Sequence, residues 1–599
     1  MNAPTHGKSF EAKTPKLISA DRVADVALAW CQVVKRTVNK LHGSEHAQSC
    51  FNDEVIGTHQ GHKIRNCPSP IFPSKFRAAL LTALTLTVVA CGGGGGGDTD
   101  TDTASMTPPS TSTPLVPEVS DVIPSCEGCG AINNSTYSGA GVGIWHHQNT
   151  GMVTKDVAVS IAGLVNKTVT LIFTNETSSS QVLAANQPHS EFITSPTTSN
   201  TVSVTGGSEL TTIFPVLSVV PSSSGMIGRE RKFAVKDGSA RATTLKNQLV
   251  TSDGTVVNVW VETAELGAAK LTTGHIDHVA TTFAGMGGVY DMLKDAGGAL
   301  WGPHSANYLM SGENIAIDIV MVNLSRNGAA YGEVGYFFGG NSYKRTTYEA
   351  SNESLALFID TETLYLGGAR GVETITGILA HEGQHMSNFY QREVLMGFTH
   401  RFSPWLEEMS AMMMEDAVTS MLSKTHNSVR DGRFAPYLQD GAYACPLLEF
   451  GGFGKCDGYA LHGTFGGFLL RQLGMPFLKI LLKQTGADSE AVLQAAIKAV
   501  RPESSIGDEL RRFAVATIAV LPASQAPVGF SFPSRVDGAV SLVGIDAQTF
   551  KSSRLLSQAA TTTFYAYSSA PVIRAGVSGT FRQTVQLPAG SSLSVAVTD

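Results

Sequence analysis

The segment "GILAHEGQHMSNFY" (377–390) sets His381 and His385 four residues apart, with Glu382 beside the first. On a helix, residues four apart share a face, with about 5–6 Å between their Cβ atoms. Both imidazoles can therefore aim a ring nitrogen at one divalent cation, and histidine binds Zn2+ at about 2.0–2.1 Å. Glu382 falls about 100° round the helix from His381, so its carboxylate reaches a water beside the ion rather than the ion itself. A Lewis acid and a general base serving one water is the equipment of hydrolysis. Short motifs also arise by chance, and a core helix with two satisfied histidines is the plain alternative.

A catalytic zinc takes a third protein ligand and keeps one position open. "PWLEEMSAMMMEDAV" (404–418) supplies Glu407 and Glu408 just after a loop, at the start of an otherwise apolar helix. A carboxylate facing a core is costly unless something pairs with it, and a cation would. Consecutive helix residues diverge by about 100°, so the two glutamates cannot both face inward. Leu406, Met409 and Met412 mark the core side, and Glu408 lies nearer to it. Asp416, two turns farther on, is a lesser option for the third ligand.

"ILAHEGQHMSNF" followed by "WLEEMSAMMMED" resembles a gluzincin metallopeptidase, and specifically the hyicolysin family of M30 peptidases, over about residues 275–500. The resemblance implies an α+β zincin-like catalytic domain, zinc as cofactor and polypeptides as substrates. In gluzincins a "WLNEG"-type segment donates its second acidic position to the metal, which matches Glu408; this chain has Glu407 where Asn is common and Met409 where Gly is usual. A metzincin would need Gly and His three and six places after the second histidine, where Asn388 and Gln391 stand. Glu382 is then the base that takes a proton from water and returns it to the leaving amine. The developing oxyanion needs a donor besides the metal. Tyr459 and His462 in "DGYALHG" are the candidates.

The elements that must carry these residues are legible as texture. A helix is expected over about 371–391, and another from Trp405 to about Leu422 behind the break at Pro404. "NIAIDIVMVNL", "AYGEVGYFFGGNSY" and "SLALFIDTETLYL" read as strands of one sheet, with "FIDTETLY" leading into the active-site helix. Short alternating runs from Thr136 to about Glu265 argue for an antiparallel β-sandwich. The tail from about Ser531 returns to strand and turn. The expected fold is thus multidomain, with an α+β catalytic domain (266–525) flanked by β-sandwich-like regions at 126–265 and 526–599.

Upstream, Lys75 and Arg77 precede thirteen uncharged, mostly apolar residues ending at Ala90, then Cys91 and six glycines. A basic start, a short apolar run and a small residue before the cut form an export signal (71–90). "VVAC" resembles a bacterial lipobox, which implies lipidation of Cys91 and, with Gly92 next, an outer-membrane or extracellular location. Residues 91–125 are a Gly/Thr/Ser/Pro tether that cannot bury enough apolar surface to fold. Residues 1–70 read as an upstream mis-start or an untypical extension. Past the tether, Cys126, Cys129, Cys445 and Cys456 are expected to form two local disulfides. A net charge of −7 offers no basic footprint, so nucleic acid is not an expected partner. A surface adhesin with an inactive core is the rival reading.

Overall fold

The computed structural model describes residues 120–183, 226–451, 456–554 and 563–599. The expected extension, export signal, Cys91 and nearly all of the tether lie outside the described residues.

Ten strands organise the molecule: β1 (Gly143–Asn149), β2 (Lys155–Asn175), β3 (Glu230–Ala234), β4 (Ala240–Val250), β5 (Val256–Glu262), β6 (Ile317–Val322), β7 (Gly335–Phe337), β8 (Leu355–Asp360), β9 (Ser569–Leu587) and β10 (Ser591–Thr598). Strands β3 to β8 make one six-stranded sheet in the order β7-β8-β6-β5-β4-β3. Its centre is parallel, β5 beside β6 beside β8, while β7 runs antiparallel along the outer edge of β8. β6 and β8 are buried at every position, as strands covered on both faces must be. The sheet coils strongly. Phe233 on β3 approaches Phe358 on β8 to 6.2 Å between ring centres, although three strands lie between them. The Asn352 side chain closes this fold-back by bonding both backbone groups of Ala234.

The helices are α1 (Thr273–Ala284), α2 (Val289–Gly297), α3 (Thr361–Leu366), α4 (Gly368–Asn388), α5 (Pro404–Leu422), α6 (Phe434–Gln439), α7 (Gly458–Lys483), α8 (Ser489–Val500) and α9 (Ile506–Ile518); α1 and α4 lie on this sheet, and α9 packs on β2 and β10. The expected strand "SLALFIDTETLYL" stops at Asp360, because that side chain accepts from the Thr363 N–H and caps α3. α3 then turns sharply into α4 at Gly368, whose φ is +57°. The first turn of α4 presses so closely on α3 that a Cβ at Gly371 would meet the Thr363 carbonyl oxygen at 1.9 Å, so glycine is required there. α4 ends in a π-turn over Phe389–Val394 rather than running on to Gln391. α7 is long and apolar, yet 78% of its most apolar window is buried in the fold, as befits a core helix.

The expected boundaries of the β-rich regions need correction. β3, β4 and β5, inside the expected 126–265 region, belong to the helix-covered sheet. The strands expected to form a separate region at 526–599 instead join β1 and β2 in a second, seven-stranded sheet: β10 lies between β1 and β2, and β9 pairs along nearly the whole of β2. Alternating texture announces a strand but not its partner, and here the partner lies more than 400 residues away in sequence.

Candidate metal centre

α4 and α5 pack against each other beneath the edge strand β7, and their contact is built from small residues. Gly377, one turn before His381, leaves room for Glu415 and Thr419 of α5; a Cβ there would stand 3.1 Å from Glu415 Cγ and 3.0 Å from Thr419 Cγ2. On the far side of α5, Met409, Met412 and Met413 fill notches left by Gly463 and Gly466 of α7. The core side expected for Met409 and Met412 is the observed one. Asn388 and Ser410 tie α4 to α5 by a 3.0 Å hydrogen bond.

This packing brings His381, His385 and Glu408 together, all buried, with one ligand atom from each lying within 4.8 Å of the others. His381 Nε2 is 3.2 Å, and His385 Nε2 3.8 Å, from the Glu408 carboxylate. Three atoms bound tetrahedrally at about 2.0–2.1 Å from one ion would stand roughly 3.3 Å apart, so little movement would seat a zinc. His381 Nε2, His385 Nε2, Glu408 Oε2 and Glu382 Oε2 are buried and make no well-aligned hydrogen bond, His381 Nε2 and Glu408 Oε2 meeting only as an ion-pair contact. Four orphaned polar atoms at one spot are too costly to be filler, and a divalent cation with a water satisfies them. The donor set fits zinc.

Charge tells the same story. Burial works against a proton on His381, but the carboxylates of Glu408, Glu415 and Glu382 around it outweigh it, lifting the imidazole to about 10. His385 is likewise raised, burial being overcome by Glu408 and Glu407. Burial pulls Glu408 upward, yet His385, His381 and Arg433 hold it below the ordinary carboxylate range. Both imidazoles thus sit among carboxylates in a pocket that favours positive charge.

Glu382 lies on the side of α4 that faces β7. Gly335 of β7 passes so near that a Cβ there would meet Ile378 Cγ2 at 2.5 Å and Glu382 Cγ at 3.4 Å. The backbone N–H of Phe337 donates to the Glu382 carboxylate, whose affinity for a proton is raised by burial. Tyr459, near the start of α7, is buried and feels the charges of Glu408 and Glu382; burial and those charges keep its hydroxyl protonated. Arg433 lies over its ring at 5.4 Å.

His462 is placed differently from expectation. Its Nδ1 faces the Gly458 carbonyl at 2.8 Å and its Nε2 the Leu447 carbonyl at 2.7 Å, so both nitrogens are committed to the backbone and neither can serve an oxyanion. Asp416 is locked in a fully buried pair with Arg471, at 2.5 Å and 3.1 Å, and also accepts from Asn427. It has nothing left for a metal. The disulfides Cys126–Cys129 and Cys445–Cys456 are formed.

Sequence reasoning missed Glu415 and Arg433. Glu415 Oε2 lies 3.3 Å from His381 Nδ1 and 3.3 Å from Arg433 Nη2. Glu415 follows Glu408 by seven residues, two helical turns on the same face, and that spacing was the available signal. Arg433 carried none, being far along the chain.

A helix-borne His-His-Glu cluster with a buried carboxylate beside an edge strand defines a candidate cation site equipped with a base. Residues 237–598 match the Peptidase M30 family, and the chain belongs to that peptidase family. Residues 124–186 match a domain of unknown function, DUF8571. No curated protein matches the sequence. Among solved structures, an M1 zinc metallopeptidase from Deinococcus radiodurans shares 10% identity at a TM-score of 0.25, covering 65% of this chain and 73% of that one. A two-domain M1 zinc metallopeptidase mutant bound to L-tryptophan shares 9% identity at a TM-score of 0.24, covering 64% and 71%. Similarity at that level does not extend to function.

Proposed function

We propose that this chain is a zinc-dependent endopeptidase with a zincin-like catalytic core, held outside the cytoplasm by a lipid on Cys91. The observation that carries the catalytic reading is the convergence of His381, His385 and Glu408, all buried, beside the buried Glu382, with four polar atoms that make no well-aligned hydrogen bond. His381, His385 and Glu408 would hold the ion. Zinc supplies a Lewis acid that polarises a carbonyl and lowers the pKa of water towards about 7.

The chain's own residues do the rest. An extended peptide adds to the open edge of β7 by main-chain hydrogen bonds, which brings its scissile bond over α4. Glu382, raised by burial, accepts a proton from the attacking water and passes it to the leaving nitrogen. The Tyr459 hydroxyl, kept protonated, donates to the carbonyl oxygen as negative charge develops there. The Cys445–Cys456 disulfide holds Cys456, two residues before α7, and so steadies the segment bearing Tyr459.

The rival adhesin reading gives a buried base no purpose. The lipid anchor rests on the sequence around Cys91 alone. Digestion of denatured casein by the purified chain, with and without a chelator, tests the activity. Glu382→Gln should retain zinc yet lose turnover by several orders of magnitude. Undiminished turnover in that variant, or a wild type inactive on every peptide, would reject the proposal. Labelling with radioactive fatty acid should mark the wild type and not Cys91→Ser.

A further inference from the structure

Glu407 and Glu408 are adjacent on α5, yet they address the same imidazole from opposite ends. Glu408 faces His385 Nε2 at 3.8 Å, and Glu407 Oε1 sits 2.9 Å from His385 Nδ1. The 100° step between neighbouring helix residues, which forbids both from facing one ion, lets them straddle one ring. His381 is gripped likewise, by Glu408 at Nε2 and Glu415 at Nδ1. A neutral imidazole has one N–H and one lone pair. A carboxylate at Nδ1 can be satisfied only by an N–H there, which leaves the lone pair on Nε2.

The two carboxylates are not equivalent. Glu415 is buried against Arg433 and belongs to the packed interior. Glu407 is 22% exposed at its side chain, in the first turn of its helix. Its charge acts on Arg392, whose guanidinium already donates to the carbonyl oxygens of His400, Gln484 and Gly486. Among the described residues, the Glu407 carboxylate makes its side-chain hydrogen bond to His385.

We propose that Glu407 is a positioning residue, which fixes His385 with its proton on Nδ1 and turns the Nε2 lone pair to the cation without touching the cation itself. The proposal rests on the zinc reading above and assigns a role to the glutamate that the facing argument had left over. Loss of such a partner weakens metal binding by about 10- to 100-fold in zinc proteins.

The test measures zinc affinity by competition with a chromophoric chelator, on the full chain, for the wild type, Glu407→Ala and Glu407→Gln. Denaturant unfolding of the metal-free proteins runs alongside. Glu407→Ala should bind zinc about 10- to 100-fold more weakly while unfolding like the wild type. Glu407→Gln keeps an acceptor oxygen at the same reach and should recover affinity to within several-fold of the wild type. A purely structural role would lower unfolding stability and would not be rescued by Gln. Wild-type affinity in Glu407→Ala would overturn the proposal, as would Glu407→Gln binding as weakly as Glu407→Ala. A wild type that holds no zinc would instead sink the metallopeptidase reading, and the wild-type titration alone reveals that outcome.

Discussion

Gly377→Ala should separate metal binding from stability. Alanine is favoured over glycine in a helix interior by about 1 kcal/mol. Against that, the new methyl would stand 3.0 Å from Thr419 Cγ2 and 3.1 Å from Glu415 Cγ. Carbon atoms prefer about 3.5–4.0 Å, so α5 or its side chains must give by roughly half an ångström. Overpacking of this kind costs about 1–3 kcal/mol, which leaves a net loss between about 0 and 2 kcal/mol. The metal site has less slack. Glu415 and His381 Nδ1 already stand 3.3 Å apart, and a half-ångström retreat takes the pair beyond hydrogen-bond reach. Zinc affinity should then fall by about 10-fold or more while the fold survives. Chelator competition and denaturant unfolding, read together, check this. A Gly377→Ala protein with wild-type zinc affinity would refute the claim that α4–α5 spacing governs the site.

Tyr459→Phe should lower kcat by about 10²–10³ with little change in KM, as loss of an oxyanion donor does, and steady-state kinetics on a quenched peptide will show it. Asp416→Asn should keep zinc at wild-type affinity but destabilise the protein by about 3–5 kcal/mol, because Arg471 is left buried without its partner. His146 is held down at about 4, chiefly by burial and then by Arg511. Its ordinary value is about 6.5, so as pH falls from 6.5 towards 4 the unfolded chain binds a proton that the folded chain resists, and stability declines. Replacing His146 with Gln should flatten that acid limb in unfolding measured from pH 7 to pH 4.5.

The site was legible where its logic is local. His381, Glu382 and His385 show themselves by helical spacing, and Glu408 by being an acid on the core side of an apolar helix. Glu407 and Glu408 looked like competitors because each was asked only whether it could face the ion. The imidazole has two ends, and both glutamates are used. Asp416 drew attention as an acid in the same helix, but Arg471, 55 residues away, claims it, and no local pattern reports that. His462 looked like a donor beside Tyr459 until its two carbonyl partners were in place. The same limit explains the domain boundaries. β3 to β5 and β9 to β10 have ordinary strand texture, and only pairing over long range decides which sheet each one joins.

The seven-stranded sheet containing β1, β2, β9 and β10 has a consequence for how the protein is made. β2 is an early strand whose neighbours, β9 and β10, are translated some 400 residues later. Until they emerge, a long and largely apolar strand waits with its hydrogen-bonding edges open, which invites pairing with other chains. Closing so distant a loop is entropically slow. Pairing of β2 with β9 and β10 thus joins the two ends of the described chain in one sheet.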